Sequence, residues 1–317
     1  MISGLLIPSL LGFALLLSGM KAMETSLQQW ADNKLSTWIA RSTATPLRGF
    51  AVGTTASALL QSSSAVTVLT IGFVNAGWLS LSRSFGIILG TNVGTCFTTE
   101  LMSLRLHRYG VPLLAVALFG WVLTFLLNEW RDASRAPKRV LPLRYLSVAF
   151  GGFALLLIGF KLLQGIGPAM QDNGYFDLLM RHTNENLLWG VLGGAALTAL
   201  VHSSSAVIAM SMGLAATGVL SPDAGIAIVL GANIGTCFTG LVASLGGGAG
   251  GRFVALSQLA LNAGGALLFY PLIGLLHAAS ATLAPSDPSA QVAHAQTLFN
   301  VACSLIALPI AYLPKFR

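Results

Sequence analysis

Two short stretches decide how this sequence is interpreted: Gln61–Val66 reads QSSSAV, and His202–Val207 reads HSSSAV. Each polar cluster interrupts an apolar segment and leaves two halves that are too short to cross a bilayer, which requires about 20 apolar residues. Non-helical backbone at membrane depth is tolerated only where protein or a water-filled cavity surrounds it. Each segment therefore predicts a re-entrant helical hairpin, one at about 46–79 and one at about 187–219.

Two further pairs of stretches repeat in the same order. Leu89–Thr98 (LGTNVGTCFT) matches Leu230–Thr239 (LGANIGTCFT) at 8 of 10 positions. Gly12–Lys21 matches Gly152–Lys161, also at 8 of 10. The offset between the two copies is the same for the serine and Asn/Thr pairs, and it differs by a single position for the last pair. Three matches in one order at a nearly constant offset indicate an internal duplication.

The composition places the chain in a membrane. Of its 317 residues, 55% are hydrophobic and only 9% are charged, and the mean hydropathy is +0.77. Soluble domains carry about 25% charged residues, so a soluble enzyme, a disordered chain, a coiled coil and a nucleic-acid-binding domain are excluded. The sequence predicts an all-α polytopic membrane protein, with spans at about 3–21, 84–102, 109–128, 145–164, 223–244, 253–276 and 292–313.

The duplication also predicts the topology. Three crossings and one hairpin in each half turn the second half over, which gives two inverted-topology repeats and a C-terminal helix. The predicted divisions are 1–135 (first repeat), 136–144 (cytoplasmic linker), 145–280 (second repeat) and 281–317 (C-terminal transmembrane helix). Thirteen of the 17 Lys and Arg residues then fall on the linker's side, as cytoplasmic segments require. We expect an integral, multi-pass protein of the plasma (bacterial inner) membrane, with its N-terminus outside and its C-terminus in the cytoplasm.

The serine clusters suggest an anion site. Broken helices at the bilayer midplane form the substrate sites of many secondary transporters. Adjacent hydroxyl groups and the free N–H groups of a helix start offer several donors, and the helix dipole adds positive potential. This combination suits a tetrahedral oxyanion such as phosphate. The candidate residues are Ser62, Ser63, Ser64, Ser203, Ser204 and Ser205.

The Asn/Thr stretches suggest a cation site. Asn and Thr oxygens are hard ligands for a small cation, and the flanking glycines permit unwinding or close helix approach. Thr95 and Thr98 lie three residues apart and share one helix face, as do Thr236 and Thr239. A Na⁺ site of Gln, Thr and backbone carbonyl groups would fit this pattern.

Simpler explanations exist for the same residues. Ser, Thr and Gly pack tightly at membrane helix interfaces, but an ordered duplication is harder to explain by packing alone. The neighbouring His202 and Ser203 do not make a hydrolase, because no G-x-S-x-G elbow is present. We therefore predict no enzyme activity. Lys21 and Lys161 are expected at helix ends, where long side chains reach the interface.

At these motifs the chain resembles the type II sodium–phosphate cotransporter family, from about Gly12 to Asn262. That family has two inverted repeats, each with a QSSS motif and a following G-[ST]-N-[IV]-G-T-x-x-T motif. The resemblance implies symport of inorganic phosphate with Na⁺ into the cell by alternating access, with the hairpins in a mobile transport domain. No organic cofactor or nucleic-acid partner is implied. Membrane lipid surrounds the protein, and a homodimer is a candidate assembly.

The resemblance also assigns candidate ligands. The phosphate ligands implied are Gln61, Ser62, Ser63, Ser64, Ser203, Ser204, Ser205, Asn92 and Asn233. The Na⁺ ligands implied are Gln61, Thr91, Thr95, Thr98, His202, Thr236 and Thr239. Some bacterial relatives carry a PhoU-like domain after the membrane part, and we expect such regulation here to need a separate protein.

Two positions depart from the family pattern: His202 replaces Gln, and Ala232 replaces Ser or Thr. Histidine changes charge near neutral pH, and an ionisable group inside a membrane is a functional candidate. We therefore hypothesise that the second cation site is weakened, or that it uses a proton on His202. The alternatives are an H⁺-coupled phosphate transporter, a Na⁺-coupled transporter of another small anion, a channel, and a regulator that binds phosphate without moving it.

Overall fold

The structure is a computed structural model, and it describes residues 2–129, 137–165, 183 and 185–313. These residues form α-helices and short 3₁₀ segments, and none of them forms a β-strand. The α-helices are α1 (Ile2–Ser42), α2 (Pro46–Leu60), α3 (Ser63–Asn75), α4 (Leu81–Ser103), α5 (Gly110–Glu129), α6 (Pro137–Gly165), α7 (Leu187–Val201), α8 (Ser204–Ala216), α9 (Pro222–Ser244), α10 (Ala249–Phe269), α11 (Ile273–Leu283) and α12 (Pro288–Ala307).

The chain divides into two compact units. The first contains Met1–Lys34 and Arg105–Ile166, and therefore most of α1 together with α5 and α6. The second contains Leu35–Leu104 and Gly167–Arg317, and therefore both serine clusters and both Asn/Thr stretches. Every candidate ligand named above lies in this second unit.

In the first unit, α1 and α6 pack against each other through glycines. A Cβ atom added to Gly19 would lie 2.5 Å from the carbonyl oxygen of Gly152, and one added to Gly152 would lie 2.5 Å from that of Gly19. Gly12 and Gly159 make the same kind of contact two turns away. From the Gly12–Gly159 contact to the Gly19–Gly152 contact, the residue number rises on α1 and falls on α6. The two helices therefore run antiparallel.

Helix α1 is longer than the sequence suggested. The predicted span ended near Lys21, but the helix continues to Ser42, because residues 22–42 contain no Gly or Pro to stop it. Lys21 therefore lies in the middle of a helix, and the expectation that it sits at a helix end is wrong. Helix α6 begins at Pro137, so most of the expected linker 136–144 is helical.

In the second unit, the helices repeat at a constant offset. Helices α2, α3 and α4 have the same lengths as α7, α8 and α9, respectively, and each precedes its counterpart by the same number of positions. Close packing recurs as well: a Cβ atom on Gly90 would lie 2.1 Å from the carbonyl oxygen of Phe50, and one on Gly231 would lie 1.9 Å from that of Val191. The glycines of the Asn/Thr stretches thus let α4 lie against α2, and α9 against α7.

Six helical segments of the described chain are long and apolar enough to cross a membrane. They are Ile7–Ala31, Leu106–Leu127, Leu141–Gly165, Pro222–Ser244, Ala249–Leu283 and Pro288–Tyr312. The segment 84–102, also expected to cross, forms α4 but is not among them, because Ser, Thr and Asn side chains interrupt it. Helices α3, α7 and α8 have 13, 15 and 13 residues and are shorter than the thickness of a bilayer requires.

Candidate functional site

The two serine clusters form the same local structure. Gln61 directly follows α2, and α3 begins after Ser62, whose hydroxyl oxygen accepts a hydrogen bond from the Ala65 N–H at 3.2 Å. Likewise, His202 directly follows α7, and the Ser203 hydroxyl oxygen accepts from the Ala206 N–H at 3.4 Å. The remaining candidate serines occupy the first turn of α3 or α8, where backbone N–H groups are free: Ser63, Ser64, Ser204 and Ser205.

Each helix break turns at a residue in the left-handed conformation. Gln61 has φ 55° and His202 has φ 56°. Residues other than glycine adopt this region at a steric cost, and such residues cluster at functional sites. The same left-handed conformation therefore follows α2 and α7 at equivalent positions of the two repeats.

Each break also contacts the Asn/Thr stretch of its own repeat. The Thr98 hydroxyl donates a hydrogen bond to Oε1 of Gln61. In the second repeat, Nδ1 of His202 lies 3.4 Å from Oγ1 of Thr239. His202 therefore occupies the position of the glutamine in the first repeat, with a ring nitrogen in place of the amide oxygen.

Two other candidate threonines, Thr95 and Thr236, donate hydrogen bonds to backbone carbonyl groups of their own helices. The Thr95 hydroxyl donates to the Asn92 carbonyl at 2.7 Å, and the Thr236 hydroxyl donates to the Ala232 carbonyl at 3.0 Å. A hydroxyl oxygen that donates in this way keeps lone pairs with which to accept or to bind a cation. Thr91 is completely buried, and its carbonyl oxygen accepts a bond from Ser57 of α2.

The two Asn/Thr stretches are joined through Asn262, on α10. Nδ2 of Asn92 donates to Oδ1 of Asn262 at 2.7 Å, and Nδ2 of Asn262 donates to the carbonyl oxygen of Asn233 at 2.7 Å. One buried amide therefore holds both candidate cation segments. No motif in the sequence predicted a role for this residue. The available signal was Gln258 and Asn262, two amide side chains four residues apart in a mostly apolar helix.

Helix α3 also reaches the opposite repeat. The Thr67 methyl group lies 3.3 Å from where a Cβ atom of Gly240 would stand, and Oε1 of Gln258 lies at the same distance. Gly240 directly follows Thr239 on α9. Thr67 Oγ1 and Gln258 Nε2 are buried, and neither has a hydrogen-bond partner among the described residues. Two polar groups without a hydrogen-bond partner among the described residues therefore belong to side chains beside Gly240, close to the second helix break.

Glu100 lies on α4 beyond the duplicated motif and contacts α12. His294 Nδ1 lies 2.9 Å from its carboxylate, and the Thr297 hydroxyl donates to the same group. Leu241 stands at the equivalent position of the second repeat. This contact joins α12 to α4 and has no counterpart at Leu241 in the second repeat.

The apolar spans and the duplicated polar helix breaks define a multi-pass membrane protein with the features of a transporter. The chain belongs to the Na⁺/Pi-cotransporter family. The sequence profile of this family matches residues 15–165 and, a second time, residues 155–308. This is a family of phosphate transporters and not of enzymes. The family predicted from the serine and Asn/Thr motifs is thereby confirmed.

Individual relatives carry different names. The Bacillus subtilis protein named "Uncharacterized protein YqeW" is 33% identical over 94% of this chain and 92% of the relative. The Escherichia coli K12 protein named "Putative inorganic phosphate export protein YjbB" is 29% identical over 93% of this chain, which spans only 52% of that relative. The rat sodium-dependent phosphate transport protein 2A is 33% identical over 31% of this chain and 16% of the relative. No solved structure matches the chain significantly.

Proposed function

We propose that this protein moves inorganic phosphate across a membrane by symport with Na⁺. The observation that carries the proposal is the pair of helix breaks, each a left-handed residue followed by three serines at a helix start. A helix start supplies free N–H donors and positive potential for an anion, and the serine hydroxyls add donors without a fixed charge. We assign phosphate to both serine clusters together with Gln61, Asn92 and Asn233.

We assign Na⁺ to oxygens beside each break. Gln61 and Thr98 are already in contact in the first repeat, and Thr95 lies on the same helix face with its lone pairs available. His202, Thr236 and Thr239 are the second set, and Thr91 completes the first set implied by the family. Oxygen donors of this kind are suited to a hard cation, and the co-bound positive charge would offset that of the phosphate.

Three observations support inverted repeats and alternating access. The helices of the second unit repeat at a constant offset along the chain. The matching stretches of α1 and α6 make reciprocal contacts while running antiparallel, as a two-fold axis in the membrane plane would produce. The sequence profile of the family matches two successive parts of the chain. We therefore propose that α2–α3 and α7–α8 are re-entrant hairpins, and that the second unit is the mobile transport domain.

The direction of transport and the coupling ion have competing candidates. The name of the Escherichia coli relative refers to export, while the rat relative is named for sodium-dependent transport. His202 favours proton coupling as the second candidate, because an imidazole replaces an amide at a break. We propose the plasma membrane as the location, with the N-terminus outside, and a homodimer as the assembly.

Uptake of labelled phosphate into proteoliposomes tests the proposal. The conditions are an inward Na⁺ gradient, an inward proton gradient or neither, each at pH 6 and pH 8. We expect saturable uptake that requires Na⁺ and is lost in the double variant Ser63→Ala/Ser204→Ala. Ser211→Ala is the matched control, because Ser211 is a buried serine in the middle of α8. Uptake driven by protons alone, or no uptake by folded protein, would overturn Na⁺ symport.

The His202→Gln variant tests the unusual second site. Glutamine would present a carbonyl oxygen to Thr239, as Gln61 does to Thr98, and would remove the titratable ring. We expect the Na⁺ concentration for half-maximal uptake to fall about fivefold, the effect of one additional favourable contact of about 1 kcal/mol. The pH dependence of uptake should flatten at the same time. Unchanged Na⁺ and pH curves would contradict a role for His202 in ion coupling.

A further inference from the structure

The first unit contains a cleft between α1, α5 and α6, with a volume of about 660 Å³ and a lining of both apolar and polar side chains. Helix α1 lines it with a stripe of polar residues at intervals of three or four, on one helix face. These are Ser18, Lys21, Thr25 and Gln29. Such a stripe is unexpected within Ile7–Ala31, a candidate membrane span.

The opposite side of the cleft adds a second cation and aromatic side chains. Arg144 and Tyr145 line it from α6, and Trp121 lines it from α5. The Arg144 guanidinium lies 5.3 Å from the centre of the Phe125 ring, a cation–π contact, and guanidinium N–H groups are well suited to bind phosphate oxygens. Ser26 holds the helices together here, because its hydroxyl donates to the Tyr145 carbonyl at 2.7 Å.

The charge of this region is positive. Lys21 pairs with Glu24 at 3.3 Å, but Glu24 does not line the cleft. Two cations and one carboxylate leave a net charge of +1. Among the described residues, no carboxylate forms an ion pair with Arg144. Among the described residues at the cleft, the cationic groups therefore outnumber the carboxylates, which favours an anionic ligand.

The position of Arg144 suits a lipid headgroup. Because α1 and α6 run antiparallel, the C-terminal end of the span Ile7–Ala31 and the N-terminal end of the span Leu141–Gly165 lie on the same side of the unit. Arg144 lies three residues, or about 5 Å, inside its span, and Lys21 lies ten residues, or about 15 Å, inside its span. A lysine at this depth extends its long side chain toward the headgroups. Trp121 is 37% exposed, and tryptophan is enriched where headgroups meet acyl chains.

We propose that this cleft binds the headgroup phosphate of an anionic phospholipid, with Arg144 and Lys21 as its cationic ligands. The Ser18 and Thr25 hydroxyls supply further donors, and the apolar side chains of Leu141 and Val148 receive the start of an acyl chain. Basic pockets between transmembrane helices recognise lipid headgroups in this way. The site is separate from the serine clusters, so it stands or falls independently of phosphate transport.

Native mass spectrometry of the delipidated full chain tests the site. Phosphatidylglycerol and phosphatidylcholine are titrated separately, and inorganic phosphate is added as a competitor. We expect preferential binding of phosphatidylglycerol. Each of Arg144→Gln and Lys21→Gln should weaken it about fivefold, and the double variant about 30-fold, from about 1 kcal/mol per cation. Lys161→Gln is the matched control, since Lys161 is the repeat counterpart of Lys21 and does not line the cleft.

Three results would overturn the proposal. They are equal binding of both lipids, an equal loss of binding in Lys161→Gln, and displacement of the lipid by millimolar inorganic phosphate, which would make the cleft a site for free phosphate. If the double variant does not fold, brominated phosphatidylglycerol is added to the wild-type protein. Bromine should quench tryptophan fluorescence less in Trp121→Phe than in wild type, and equal quenching would exclude the cleft.

Discussion

Replacing Gly231 with alanine is expected to prevent the second unit from folding. The added Cβ atom would lie 1.9 Å from the carbonyl oxygen of Val191 and 2.9 Å from the backbone nitrogen of Ala195. Neither atom belongs to a flexible side chain, so α7 and α9 would have to separate. We expect loss of the monodisperse protein peak on size-exclusion chromatography and no measurable phosphate uptake.

Gly193→Ala provides the matched control on α7. No atom lies within 4 Å of a Cβ atom at this position, and alanine favours a helix over glycine by about 0.5–1 kcal/mol. This variant should fold with unchanged or higher thermal stability. If Gly231→Ala were as stable as Gly193→Ala, the close contact between α7 and α9 would be wrong.

Replacing Asn262 with leucine is expected to abolish transport. The change removes the amide that joins Asn92 to Asn233 and leaves the buried Nδ2 group of Asn92 without this partner. An unpaired buried group costs about 1–3 kcal/mol, and the candidate cation segments lose the side chain that joins them. We expect uptake to fall by about two orders of magnitude, because displacements of about 1 Å in a site have effects of this size.

Asn300→Leu is the control for Asn262→Leu. Asn300 is also buried, and it donates to the Cys96 sulfur at 3.3 Å without joining the two repeats. Asn300→Leu should lower the melting temperature by less than Asn262→Leu does, and it should retain more of the wild-type phosphate uptake. Equal losses in both variants would show that Asn262 acts only through general packing, and retained uptake in Asn262→Leu would remove it from the site.

The local features of the site could be predicted from the sequence. Three serines in an apolar segment cannot continue an ordinary span, and Ser is among the best residues with which to begin a helix. The breaks at Gln61–Ser62 and His202–Ser203 follow from these preferences. The duplication was visible because equivalent segments retain nearly identical residues at a constant offset.

Contacts between distant segments could not be predicted. Nothing near Asn262 in the sequence indicates that its amide bonds to Asn92, 170 residues away. Thr67 and Gln258 likewise meet beside Gly240 only because α3 packs across the opposite repeat. Local composition also misplaced Lys21, because the end of an apolar stretch is not the end of a helix.

The sequence by itself determined the membrane environment, the duplicated helix breaks and the phosphate transporter family. It could do so because hydropathy, helix capping and repeated motifs are properties of neighbouring residues. The tertiary structure alone decided that one amide joins the two Asn/Thr stretches, and that Lys21 and Arg144 line a single cleft. These features depend on which helix faces pack together, and packing is a sum of many weak contacts between segments far apart in the chain.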